Sequence, residues 1–228
     1  MSWNLLLFVV LPYVAIVLAV VGTVYRMTRR PFTVSSLSSQ LLEGRDLFWG
    51  SVSFHWGILL VLVGHLFALI LPAGLEAWNQ VPIRLYLLEI TGLILAVWAL
   101  LGLGVLILRR VGSGKIRAVT TRMDIVVLGL LLAQVITGIL IATEFRFGSS
   151  WGTGVFVPYL HSLIVLDPRP ELVAPLPVIL QLHASLFFVF LVVFPFSRLV
   201  HIITLPLGYL ARPFQLVKWV RRDQPVER

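Results

Sequence analysis

The sequence predicts an all-α, polytopic membrane protein with five transmembrane helices, its N-terminus outside and its C-terminus cytoplasmic. Three observations predict it. The first is composition: 59% of the 228 residues are hydrophobic and 12% are charged, where soluble domains run about 45–50% and about 25%. The second is that the apolar residues come in long charge-free runs, giving a mean hydropathy of +0.99. The third is that Lys and Arg fall in alternate connections. Composition also excludes some functions. With no Cys, the chain forms no disulfide, holds no iron–sulfur cluster and offers no thiolate. The net charge of +8 lies in short loops between apolar runs, so it marks membrane topology and not a nucleic-acid surface.

Each span follows from a run. Residues 2–25, 47–75, 90–108, 125–143 and 172–197 carry no charge. Each run is long enough for a membrane-crossing helix, which needs roughly 17–25 residues. Glu89 stands at the start of the third, which sets that helix's beginning near Ile83 to Leu85. The predicted helices are therefore about 4–25, 50–72, 84–108, 123–143 and 178–202, in one membrane domain over 1–228 with a basic tail over 203–228. The first run lacks a basic leader and a small-residue cleavage site, so it reads as a span and not a signal peptide. The long 144–177 connection is rich in Gly, Pro and aromatics, and a short interfacial helix is expected around Gly154 to Leu166.

Orientation follows from the basic residues. Arg26, Arg29, Arg30 and Arg45 lie between helices 1 and 2. Arg109, Arg110, Lys115, Arg117 and Arg122 lie between helices 3 and 4, and six more follow from Arg198 to Arg228. Only Arg84, Arg146 and Arg169 lie on the other side. The positive-inside rule puts the fifteen in the cytoplasm.

Chemistry is carried by histidine. His55 and His65 lie in helix 2, His183 and His201 in helix 5, and His161 in the outward loop. Ionisable side chains within a bilayer are costly and face a bundle interior. A single one reads as a hydrogen-bonded interior residue, but four shared evenly by two helices ask for a joint cause. Helices 2 and 5 run antiparallel, so His65 can face His183 and His55 can face His201. The step from 183 to 201 is eighteen residues, five whole turns on a continuous helix. The step from 55 to 65 leaves an offset of about 80°. The rises also differ, about 15 Å against about 27 Å, so tilt or a bend near Pro195 has to absorb the difference. Two imidazoles from opposed helices can be the axial ligands of one haem iron, an arrangement suited to electron transfer. Two such pairs give two b haems at two depths. Zinc fits less well, because it wants four donors at one point. A proton relay would add intramembrane carboxylates, and only Glu89 and Asp124 come near, both at helix ends. The remaining reading is a haem-free anchor or transporter whose histidines line a polar path; it predicts a colourless protein.

Secondary features bear on the haem reading. Gly50, Gly57 and Gly64 recur every seven residues along helix 2, and each can admit either a flat ring or a neighbouring helix. Arg110 and Arg198 are candidate partners for haem propionates, or plain positive-inside anchors. His161 is read as interfacial and not as a ligand.

The stretches SSQLLEGRDLFWGSVSFHWGILLVLVGHLF, RAVTTRMD and FPFSRLVHIITLPLGYL resemble the respiratory nitrate reductase gamma subunit family, the dihaem membrane cytochromes b. The likeness covers most of 30–142 and 179–220, and the histidine spacings match the family's. It implies five helices with the N-terminus outside, in a prokaryotic cytoplasmic (inner) membrane. It implies that His55 and His201 hold a cytoplasmic, proximal haem, and that His65 and His183 hold an outer, distal one. It implies oxidation of a quinol (menaquinol or ubiquinol) near the outer haem, with protons released outside. The electrons would pass to a cytoplasmic iron–sulfur beta subunit and on to a molybdenum-containing alpha subunit that reduces nitrate. At the quinol site, Gly64 and His65 match the family's pattern. Arg84 and Tyr86 stand where a member of the family carries Lys. Membrane cytochromes of heterodisulfide-reductase and sulfite-reduction complexes share the architecture and are the nearest alternative.

Overall fold

A computed structural model of the chain describes residues 3–30 and 45–203, without the side chains of 45–47 and 201. Among the described residues all regular structure is helical. Eight α-helical segments follow one another: α1 (Trp3–Arg29), α2 (Arg45–Ile70), α3 (Pro72–Asn79), α4 (Pro82–Gly112), α5 (Gly114–Ala118), α6 (Arg122–Glu144), α7 (Gly148–Ile164) and α8 (Val178–Val193). Helices α1, α2, α4, α6 and α8, the last continued to Phe196, are long and apolar enough to cross a membrane. Those are the five spans that the charge-free runs predict. Large apolar side chains such as Val17, Ile94 and Leu108 point outwards, as a hydrocarbon surround requires.

Local chemistry sets the starts. Proline stands at the first position of both α3 and α4, where its missing N–H costs nothing. Helix α6 opens on a capping box: Asp124 N donates to Thr121 Oγ1 (3.2 Å) and Thr121 N donates to Asp124 Oδ2 (2.9 Å).

The long helices form an arc in the order α2, α4, α6, α8, α1, and α2 and α8 are not packed against each other. Contact between apolar helices in lipid rests on close approach, not on a hydrophobic drive. Helices α2 and α4 show this. A Cβ at Gly57 would stand 2.6 Å from Leu95 O and 2.8 Å from Ala99 N, and one at Gly50 would press on Leu106 at 3.0 Å. Phe54, Ala99 and Leu103 fill the seam between them. Gly50 and Gly57 are therefore packing residues. Around Gly64 nothing lies within 4 Å of a Cβ position.

Two elements differ from expectation. The 144–177 connection carries a helix that begins at Gly148, six residues before the predicted start. Its cap residue, Phe147, is left-handed (φ 64°) and offers no side-chain cap. The cap comes instead from Glu89 of α4, whose Oε1 accepts from Ser149 N (2.9 Å) and Ser149 Oγ (2.6 Å). A carboxylate at a helix N-terminus is favourable, but nothing local in the sequence announces it. Nor is α7 only interfacial. Tyr159 and Leu163 are buried with Phe8, Ala15, Val173 and Phe188, which joins α7 to α1 and α8.

The fifth span is not continuous to 202. It leaves α-geometry at Val193, passes through a 3₁₀ turn at Phe194–Phe196, is extended at Ser197 (ψ 178°) and resumes as 3₁₀ at Arg198–Ile202. Pro195 has no N–H to give to the Leu191 carbonyl. The step from His183 to His201 is therefore not five turns of one helix. Arg26 of α1 compensates the break: its Nη1 donates to Pro195 O (2.8 Å) and Ser197 O (2.6 Å). Gly22 lets the two elements meet, since a Cβ there would stand 2.9 Å from Pro195 Cβ. The side chain of His201, and the expected basic tail from residue 204 onwards, lie outside the described residues.

Candidate functional site

Three of the four membrane histidines have described side chains, and all three hold the same nitrogen in a hydrogen bond. His55 Nδ1 donates to Ser51 O (2.7 Å) and lies 3.1 Å from Ser51 Oγ. His65 Nδ1 donates to Val61 O (2.8 Å). Both bonds run back one turn to a carbonyl of the same helix. A neutral imidazole with its proton on Nδ1 keeps its lone pair on Nε2. Both α2 histidines thus turn a donor nitrogen away from their own backbone, and both are exposed at the surface of the described chain.

His183 of α8 is half-buried and lies against α6. Its Nδ1 is 2.8 Å from Thr137 Oγ1. The Thr137 hydroxyl has one proton, which goes to Ala133 O (2.8 Å) and is shared with Gln134 O (3.1 Å). With its proton given to Ala133 O, Oγ1 is placed to accept from Nδ1–H, the tautomer that leaves the lone pair on Nε2. His183 Nε2 lies 3.3 Å from Gln134 Nε2, while Gln134 Oε1 is buried with no hydrogen-bond partner. Gly138 makes the approach possible: a Cβ there would stand 3.2 Å from His183 Cε1.

These observations bear on whether the residues fit haem. Metal-ligating imidazoles hold the other ring nitrogen in a hydrogen bond, which fixes tautomer and orientation. His55, His65 and His183 all do so. Beside His65, no neighbouring side chain lies within 4 Å of a Cβ position at Gly64. The bond from Gln134 to His183 Nε2 is the one contact that iron ligation would have to displace. Among the described residues, no three His, Cys, Asp or Glu side chains gather into a protein-only metal centre.

At the other end of α4 and α6, both candidate propionate partners meet one carboxylate. Arg110 Nη1 is 3.2 Å from Asp124 Oδ2 and Arg198 Nε is 3.4 Å from Asp124 Oδ1. Arg110 also donates to Thr120 Oγ1 (3.4 Å).

The quinol candidates are brought to the far end of the bundle but not onto His65. The Arg84 guanidinium lies over the Trp78 ring, 5.3 Å from its centroid, and Trp78 Nε1 donates to Arg84 O (3.2 Å). Tyr86 meets Phe147 edge to face at 5.8 Å. No hydrogen bond or ring contact joins Arg84 or Tyr86 to His65 among the described residues. His161 is exposed on α7 and lines a cavity of about 350 Å³ with Asp167 and Arg169, and none of the other histidines lines it.

The sequence reading missed Thr137, Gln134 and Gly138. A signal for the first two was available. They are polar, three apart, and embedded in the charge-free run 125–143, so they share one helix face and should turn inwards.

Comparison with known proteins is in keeping with this geometry. The sequence profile described as nitrate reductase gamma subunit matches residues 4–220. The nitrate reductase gamma chain of Bacillus subtilis is 31% identical over 210 residues, covering 90% of this chain and 93% of its own. The respiratory nitrate reductase 1 gamma chain of Escherichia coli is 31% identical over 220 residues, covering 94% and 97%. The nitrate reductase-like protein NarX of Mycobacterium tuberculosis is 34% identical over 219 residues, 92% of this chain but 33% of that protein. With the match running through all five spans and nearly end to end in two gamma chains, the chain belongs to the nitrate reductase gamma subunit family, membrane subunits of an oxidoreductase complex.

Proposed function

We propose that the chain is the dihaem cytochrome b subunit of a respiratory nitrate reductase, oxidising quinol near the outer face and delivering electrons inwards. The observation that carries the reading is that the described histidines on α2 and α8 each hold Nδ1 in a hydrogen bond, as metal-ligating imidazoles do. His65 and His183 would hold an outer b haem, and His55 and His201 an inner one. Each haem, when bound, would supply reversible one-electron transfer.

The chain's own residues supply the rest. Gly64 leaves room at His65. Arg84 and Tyr86, at the outer start of α4, offer a cation and a hydroxyl to the quinol oxygens. Oxidation of one quinol releases two electrons and two protons; the protons leave outwards while the electrons go in. At the inner end, Arg110 and Arg198, brought together at Asp124, would pair with propionate carboxylates. The receiving partners are an iron–sulfur beta subunit and a molybdenum-containing alpha subunit on the cytoplasmic side of a prokaryotic inner membrane.

The test is haem content by pyridine haemochrome on the purified chain and its histidine variants. Two b haems per polypeptide are expected. His65→Ala or His183→Ala should each remove one haem and abolish quinol oxidation. His55→Ala or His201→Ala should remove the other and leave quinol binding in place. A folded, haem-supplied preparation with no haem would overturn the reading in favour of a haem-free transporter. Four variants with one unchanged two-haem spectrum would overturn the ligand assignment.

A further inference from the structure

We propose that Thr137 is the positioning residue of the outer haem ligand: its hydroxyl accepts the Nδ1 proton of His183 and so sets the orientation and donor strength of the nitrogen that ligates iron. This rests on His183 being a ligand, as proposed above.

The argument begins with proton bookkeeping on α6. A threonine inside a helix commonly gives its proton to the carbonyl one turn back, and Thr137 gives its own to Ala133 O at 2.8 Å. That leaves Oγ1 only its lone pairs for His183. Ligation of iron through Nε2 requires the imidazole proton on Nδ1, and the 2.8 Å contact then runs from Nδ1–H to Oγ1. The two α2 histidines use carbonyls of their own helix for the same purpose. His183 does not, and relies on a side chain from a neighbouring helix. Its orientation is therefore set by how α6 and α8 meet.

Burial strengthens the contact. Thr137 is 6% exposed, and water does not compete for the bond at that depth. Gly138 keeps the next position clear, so that the ring edge lies directly on α6. A hydroxyl whose proton is already donated is a better acceptor. An imidazole whose Nδ1–H is so held is a more basic ligand at Nε2. More basic ligation favours the oxidised iron and lowers the potential of the haem that His183 holds.

The test compares Thr137→Val, Thr137→Ala and Thr137→Ser in the haem-loaded full chain. Thr143→Val serves as control, because Thr143 also bonds back to its own helix, at Ile139 O (3.0 Å), but is exposed and touches no histidine. Haem content, redox titration of each haem and low-temperature EPR are read on all five proteins, wild type included. The Val and Ala variants should raise the potential of one haem and shift its low-spin EPR signal, with the other haem unmoved. The Ser variant should restore both readouts, and the control should match wild type. Loss of one haem in Thr137→Val, regained in Thr137→Ser, is the same result in stronger form. Unchanged potentials and signals in the Val and Ala variants would overturn the proposal, as would a Ser variant that behaves like Val. Absence of haem from the wild type would instead overturn the ligand reading on which it rests.

Discussion

Single residues here act through what they leave unpaired in others. Asp124 is the clearest case. Its carboxylate takes the Thr121 N–H of the capping box and stands between Arg110 and Arg198. Its side chain is 11% exposed, and Arg110's is 25% exposed. Removing one partner of such an arrangement leaves the other charges facing each other in a region of reduced water. Asp124→Asn keeps an acceptor for Thr121 but loses the charge; Asp124→Ala loses both. Thermal unfolding in detergent should therefore fall in the order wild type, Asn, Ala, with the Ala variant losing about 1–3 kcal/mol. Equal melting of all three would show that Arg110 and Arg198 do not depend on Asp124. Arg110 and Arg198 are legible in the sequence as basic residues at span ends. Their convergence on one carboxylate is not, because it joins α4, α6 and the turn after Pro195.

At the scale of elements, two prolines decide where the spans depart from ideal helix, and a residue from another element repairs each departure. Pro12 cannot donate to Phe8 O, and the chain relaxes into a π-helical turn at Leu6–Val10. Tyr159 of α7 supplies the missing donor: its hydroxyl gives its proton to Phe8 O (3.0 Å), and the two rings meet edge to face at 6.1 Å. Burial, with Tyr13 adding, pushes the Tyr159 hydroxyl's pKa up, so it stays protonated as the donor. Tyr13 returns the link by donating to Leu163 O (3.1 Å). Pro195 breaks the fifth span in the same way, and Arg26 is its repair. The prolines are plain in the sequence; the partners, 147 and 169 positions away, are not. The same holds for Glu89, which caps α7 from α4 and moves its start six residues ahead of the local signal. Tyr159→Phe should leave Phe8 O buried without a donor and cost about 1–3 kcal/mol, read as lower hydrogen-exchange protection over α7. Tyr13→Phe should cost less, since Leu163 O still accepts from Leu166 N (3.3 Å). If the Tyr13 variant proved the more damaging, the repair account of Pro12 would fail.

For the whole molecule, the five spans are legible because lipid forces the backbone to satisfy itself within each helix, and the length of a charge-free run then fixes the element. Their arrangement is less legible, because apolar helices have no hydrophobic drive to pair in lipid and choose neighbours by small-residue contacts such as Gly57 on Ala99. Charge supplies what hydropathy does not. The fold gathers Arg26, Arg110 and Arg198 with the loop residue Thr120 and the break at Ser197 around one end of the bundle. Arg84, by contrast, sits with Trp78, and Arg169 with Asp167, beyond the other ends of the spans. Fifteen of eighteen basic residues belong to the first set of connections. A bias of that size predicts that this end, with the C-terminus, faces the cytoplasm. Reporter fusions test it. A fluorescent protein at the C-terminus should fluoresce and alkaline phosphatase there should be inactive, while phosphatase inserted between α7 and α8 should be active. Replacing Arg109, Arg110, Lys115, Arg117 and Arg122 with Gln should make the topology mixed, because those five residues contribute a third of the bias. Phosphatase activity at the C-terminus of the unaltered chain would reverse the orientation. The quinol residues at Arg84 and Tyr86 would then face inwards, and the proposed outward release of protons would fall with it.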